Sequence, residues 1–269
     1  MFAPSARHTV ASLRAARGRH AFAMLRVETL DEAAAAESAG VELLSVPPAM
    51  ILDSRFRQVA PNAFACPGEN FFEIGGTDDF LRWAMPLVKH GADAVYCSGS
   101  LATVRALADH AIPVCGHVGL IPSKRTWTGG YRAVGKTLDS AKLVWDQVRA
   151  LEEAGAFAAE IEVVPHAITA AIAERTSLFL ISMGAGQAGH AQYLFSDDVL
   201  GQNRGHVPRH AKVYADLAAE YDRLQGMRVA AMGAFAAEVH GGGYPSAEHL
   251  VEVEAQVVAA FRDWLSTNG

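Results

Sequence analysis

The stretch PVCGHVGLIPS, residues 113–123, decides how this chain is read. Ile112 and Val114 begin an apolar, β-branched strand, and Gly116, His117 and Gly119 end it. A histidine between glycines at the end of a buried strand places an imidazole at the mouth of an α/β barrel, where such folds build their sites. Outward from this stretch, short apolar runs alternate with amphipathic, Ala-rich segments, the rhythm of βα units around a parallel sheet. The runs predict strands over 21–25, 41–46, 62–66, 94–98, 112–117, 158–164 and 178–184, with a short eighth near 204–207. Helices are predicted over 30–39, 78–90, 100–110, 137–154 and 166–175, several ending in Gly or another small residue before the next strand. The expected fold is a (β/α)8 TIM barrel. It forms a single domain over residues 1–269, with residues 211–264 as a C-terminal helical extension.

Composition supports this reading and removes others. The chain has 269 residues, close to the roughly 250 of a typical barrel. Hydrophobic residues make up 51% and charged residues 19%, which suits a large core and not a disordered chain. A net charge of −6 and a pI near 6.0 argue against a nucleic-acid surface. No apolar run reaches membrane-spanning length, so no membrane partner is expected. The basic first residues lack a continuous apolar stretch, which points to a first helix and a cytoplasmic protein, although composition alone leaves a transit peptide open. Cys66, Cys97 and Cys115 lack metal-site spacing and read as buried thiols.

In a parallel barrel the chemistry gathers at the carboxyl ends of the strands. That geometry selects Pro47 and Pro48, Gly68 and Glu69, Tyr96 and Ser98, His117, Glu162, and Ser182 with Gly184. Strand alternation puts Glu160 and Glu162 on one face. Carboxylates in an apolar strand are costly unless solvated, paired or functional. Glu162 is therefore either a catalytic group or the partner of a buried cation, and Glu160 reads as a strand-end salt-bridge partner. His117 is either a ligand contact or a satisfied strand-end histidine. Glu69 and Glu73 read first as a solvated loop face. Phe71, Phe72 and Trp127 are either pocket walls or barrel–helix packing. The Gly-rich GAGQAGHAQ, residues 184–192, reads as a surface loop, with His190 and Gln192 as weaker pocket candidates.

PVCGHVGLIPS is followed in order by TGGYRAVGK (128–136), LEEAGAFAAEIEVVP (151–165), ISMGAGQAGHAQ (181–192), GHVPRHAK (205–212) and AEVHGGGYPSAEH (237–249). This series resembles the ketopantoate hydroxymethyltransferase family of the phosphoenolpyruvate mutase/isocitrate lyase superfamily, over roughly residues 12–249. The resemblance implies aldol-type carbon–carbon bond chemistry through the enolate of a 2-oxo acid. It puts the general base at Glu162. In the family a divalent metal is held by aspartates after strands two and three. Here those positions carry Pro47 and Gly68, and Pro48 replaces a substrate-binding serine. Tyr96 and Ser98 stand where the resemblance implies a lysine and a glutamate. The expected catalytic residues are Glu162 and His117, with Tyr96, Ser98 and Ser182 binding substrate and no metal ligand. No tightly bound cofactor is expected; magnesium and methylenetetrahydrofolate would be used only if the parent activity is kept. A magnesium site rebuilt from Glu69, Glu73 and Glu162 is the weaker alternative. The expected partners are a small-molecule substrate and further copies of the chain in a homo-oligomer, for which the resemblance implies a decamer. The competing function is a non-catalytic homologue that binds a small acid or serves as an oligomer partner.

Overall fold

The structure, a computed structural model, describes residues 7–69 and 73–269. Eight parallel strands form the sheet: β1 (Phe22–Arg26), β2 (Leu43–Val46), β3 (Phe64–Pro67), β4 (Val95–Tyr96), β5 (Val114–Gly119), β6 (Ala158–Glu162), β7 (Phe179–Met183) and β8 (Ala191–Phe195). Their order is β3-β2-β1-β8-β7-β6-β5-β4, so β1 pairs with β8 and only the β3–β4 seam lies outside the ladder. That seam is bridged where the amides of Asp93 and Ala94 donate to the Ala65 carbonyl, at 2.9 and 3.4 Å. Asp93 secures it: one carboxylate oxygen accepts from the Ala65 amide at 2.9 Å and from Arg57 Nη2 at 2.7 Å. Together with the helices between strands, this is the expected TIM barrel.

Alternation along each strand sorts the side chains. Phe22, Met24, Leu43, Phe64, Cys66, Phe179, Ile181 and Met183 fill the interior. Leu44, Val46 and Ala65 belong to one outer layer and Val95, Val114, Val118, Ile161 and Leu180 to another, under the surrounding helices. Threonines start several helices by accepting an N-terminal amide, as Thr29 does from Glu32 and Thr137 from Ser140. Gly40 ends the helix Leu30–Ala39 in the left-handed conformation, where its missing Cβ avoids strain.

The eighth strand departs from expectation. It lies at Ala191–Phe195, not near 204–207, because AQYLF buries Ala191 and Tyr193 inside the barrel. Part of the supposed Gly-rich surface loop is thus strand. His190 is buried, its Nδ1 accepts from the Leu180 amide at 2.8 Å, and burial lowers its pKa to about 4. Trp127 is 90% exposed, so it neither walls a pocket nor packs on the barrel. Phe71 and Phe72 lie outside the described residues. The three cysteines are free and buried. No helix among the described residues is long and apolar enough to cross a membrane.

The chain divides into two compact units, Met1–Asp216 and Leu217–Gly269. The second holds the long helices Leu217–His240 and Ala255–Asn268. Met232, Phe235, Phe261 and Trp264 are among the apolar side chains exposed on them.

Candidate active site

The interior parity that buries Cys115 and Ala158 carries His117, Glu160 and Glu162 to the carboxyl-end mouth. His117 pairs in register with Glu160, and Gly119 with Glu162. Gly119 is needed here. Its φ is +83°, and a Cβ would stand 2.5 Å from the Glu162 carbonyl. That carbonyl accepts from the Leu120 amide at 2.9 Å, which fixes the end of β6. Val163 follows at φ +48°, a strained value for a β-branched residue, and its amide donates to the Met183 carbonyl at 2.8 Å. The chain turns sharply just beyond Glu162 and is held there from both sides.

His117 Nε2 lies 3.0 Å from Glu162 Oε2 and 3.9 Å from Glu160 Oε1. The Tyr96 hydroxyl donates to Glu160 Oε2 at 2.5 Å. Burial alone would lower the His117 pKa, but Glu160 and the hydrogen bond to Glu162 outweigh it and hold the ring above its usual value. Burial pushes the Glu160 carboxyl up; Glu162 adds to this, while His117 and Tyr96 oppose it. The Glu160 charge and the Glu162 contact both favour the imidazolium form of His117. Glu160, expected as a strand-end salt-bridge partner, does pair with His117, but inside the barrel. It completes a buried network with Tyr96 and His117.

A cavity of about 440 Å³ opens beside this network, lined by Arg26, Glu69, Ser98, His117, Ser123 and Glu160 among others. A smaller one of about 280 Å³ shares His117 and Glu160 and adds Glu162 and His210. Tyr96 lines the first, so the structure brings together four of the five expected site residues: Glu162, His117, Tyr96 and Ser98. Ser182 is the exception. It pairs with Ile161, on the outward parity of β7, and its hydroxyl donates to the Gly186 carbonyl at 2.8 Å. It lines a separate cavity of about 540 Å³ with Lys136, His166 and Arg209. That cavity is larger but lacks the ionisable network, so we place the chemistry in the smaller pair.

Glu69 also departs from expectation. It is no solvated loop residue: its Oε1 accepts from the Ser98 amide at 2.6 Å and from the Ser98 hydroxyl. Burial raises its pKa against the lowering effect of those bonds. Glu73 is exposed. Arg26, at the inward end of β1, is a site residue that the sequence reading missed. Its signal was the period-two alternation Phe22, Met24, Arg26, which puts a guanidinium in line with two core residues.

The divalent metal implied by the resemblance does not fit after β2 and β3. Pro47 offers no side-chain ligand and precedes the short helix Pro48–Leu52. A Cβ on Gly68 would stand 2.7 Å from Arg26 Nη1, so a cationic side chain already fills that room. His117, Glu160 and Glu162 place donor atoms within 4.8 Å of one another, a possible cation site. Coordination there would have to displace the proton that the raised His117 pKa favours.

The family model for ketopantoate hydroxymethyltransferase matches residues 71–247. The 3-methyl-2-oxobutanoate hydroxymethyltransferase of Deinococcus radiodurans is 36% identical over 208 residues, covering 75% of this chain and 71% of that protein. The enzyme of the same name from Nitratidesulfovibrio vulgaris strain DP4 is 31% identical over 285 residues, covering 97% and 91%. Among solved structures, an oxaloacetate acetylhydrolase bound to 3,3-difluorooxalacetate superposes with a TM-score of 0.51 at 12% identity, covering 96% of this chain and 95% of that one. This last likeness concerns the fold alone. The matched motifs, the barrel and the sequence identity with its relatives agree, and the chain belongs to the ketopantoate hydroxymethyltransferase family of enzymes.

Proposed function

We propose that this chain makes or breaks a carbon–carbon bond next to the keto group of a 2-oxo acid or related small carboxylate, through an enolate. The 3.0 Å contact between Glu162 and His117 at the barrel mouth carries this reading. Glu162 as carboxylate takes a proton from C3 of the substrate. The C–H electron pair moves into the C2–C3 bond, and charge develops on the keto oxygen. The His117 imidazolium supplies a hydrogen-bond donor for that oxygen, while the Ser98 hydroxyl stays on Glu69. The enolate carbon then adds to the carbonyl carbon of an aldehyde, whose C=O π pair moves onto its oxygen and takes the proton held by Glu162; the reverse reaction removes that proton and expels the aldehyde. Glu162 returns its proton when the enolate is protonated instead.

Departure from ketopantoate synthesis itself is supported by Pro47 and Gly68 at the positions where the family resemblance implies metal ligands. The test is C3 proton exchange of pyruvate, 2-oxobutanoate and 3-methyl-2-oxobutanoate in D2O, followed by NMR with a chelator present. Enzyme-dependent exchange of at least one substrate is expected. Exchange no faster than without enzyme, for all three, would overturn the reading. Apolar side chains such as Phe235 and Trp264, exposed on the C-terminal helices, support self-association as a second part of the proposal. Light scattering at the monomer mass across a wide concentration range would contradict it.

A further inference from the structure

Arg26 projects from the end of β1 into the 440 Å³ cavity and carries the only arginine or lysine charge among its described lining residues. Glu28 accepts from its Nε at 2.6 Å and from Nη2 at 3.3 Å. Nη1 points the other way, 3.4 Å from Ser45 Oγ. It also lies over Gly68, 2.7 Å from where a Cβ would be. Glycine at 68 therefore does two things. It withholds the carboxylate a metal would need, and it makes the room that the guanidinium uses.

Two further groups in this cavity are incomplete. Among the described residues, Glu69 Oε2 and Ser123 Oγ are buried and have no hydrogen-bond partner. Buried polar atoms are ordinarily partnered, so two orphans beside one cation mark a place for a ligand's polar end. Burial shifts Glu69 toward its protonated form, whose Oε2 would donate as the Ser123 hydroxyl does. Guanidinium and the Ser123 hydroxyl together suit an anion with two acceptor oxygens. The other side of the cavity holds His117 and Glu160, which suit the reacting end.

We propose that Arg26 anchors the carboxylate of a small 2-oxo acid, a cation built into the chain standing where the family resemblance implies a metal. Ser123 completes the oxygen contacts. The proposal rests on the enolate reading for the substrate class, but anion capture can be measured without turnover.

The test is isothermal titration with pyruvate, 2-oxobutanoate and 3-methyl-2-oxobutanoate, and with pyruvamide, which lacks the carboxylate, all with chelator present. Wild type should bind at least one of the acids. Arg26→Gln should weaken it by about ten- to hundredfold, the usual value of a charge-assisted contact, and leave pyruvamide unchanged. Arg26→Lys should fall between. Gly68→Ala gives a second route should Arg26→Gln fail to fold. Its added methyl meets only the far end of a flexible side chain, and by displacing Nη1 it should weaken the acids in the same way. Acid binding that is insensitive to these variants, or that is absent from wild type with chelator, whether or not magnesium added in the chelator's place restores it, would overturn the proposal. Arg26-dependent binding without C3 exchange would leave the anchor standing and remove the enolate reading. Exchange with Arg26-independent binding would do the reverse.

Discussion

On the β5–β6 side of the barrel mouth, His117, Glu160 and Glu162 crowd into one buried network. On the β1–β3 side, the same inward rows end in Arg26, Ser45 and Gly68. The first side is rich in protons that can move and is expensive to bury. The second holds one fixed charge, backed by Glu28 and seated on a glycine. The contrast separates two jobs. On the proposed reading, proton transfer falls to Glu162, where the family resemblance puts the general base, and the substrate's charge is met by the Arg26 side chain. A guanidinium never loses its proton in the working pH range, so it can anchor an anion without entering the acid–base chemistry beside it.

The contrast breaks most sharply at Glu162. Glu162→Gln keeps shape and a polar contact to His117 while removing the base. C3 exchange should fall by about 10²–10⁴-fold, the usual contribution of a positioned general base. Binding measured by titration should change little, because the anchor lies on the other side. Full exchange in this variant would take Glu162 out of the mechanism. A parallel loss of binding would mean that the two sides do not divide the work.

A smaller effect is expected from Gly68→Asp, which supplies a carboxylate after β3. If Arg26 occupies that room, the new carboxylate should pair with the guanidinium and compete with the substrate, weakening acid binding by roughly tenfold. Elemental analysis should find no added magnesium. Uptake of one equivalent of magnesium with tighter acid binding would show that the β1–β3 side is still a metal site lacking one ligand, and would undo the comparison.

The barrel itself was legible because the apolar runs and the intervening helices follow their own periods. That His117 and Glu162 share the barrel mouth was legible because both were placed at the carboxyl ends of predicted strands. Strand eight escaped, since AQYLF is short and sits in a glycine-rich context that reads as loop. Ser182 was misplaced for a simpler reason. A strand end gives height in the barrel, but parity gives direction, and Ser182 shares the outward parity of Leu180. Arg26 was open to the same parity argument and was passed over. Parity did put Glu160 on the face of Glu162, but its place in the network could not be read, because long-range partners are invisible in sequence: Glu160 meets Tyr96 from 64 residues away. Glu69 was lost likewise, because its burial depends on Ser98 after another strand.

The smallest expected effect is a shift in titration, and it probes the β5–β6 side alone. His117 is held above its ordinary pKa, so the imidazolium's contribution to stability is complete below about pH 6.5, the unfolded value. It is lost as pH rises through the higher folded value. Glu160→Gln keeps an acceptor for Tyr96 but removes one of the two carboxyl groups that hold the proton. The His117 pKa should then fall toward its ordinary value, as read from its ring proton resonances by NMR. The loss of stability with rising pH should begin at lower pH in denaturant titrations. The alkaline limb of C3 exchange should move the same way if the imidazolium stabilises the enolate. Arg26-dependent acid binding at pH 6 should hardly change, because Glu160 is not part of the anchor. An unmoved His117 titration would mean that Glu162 alone holds the proton. Glu160 would then be a partner of Tyr96, and the chemistry on this side would reduce to a single His–Glu pair.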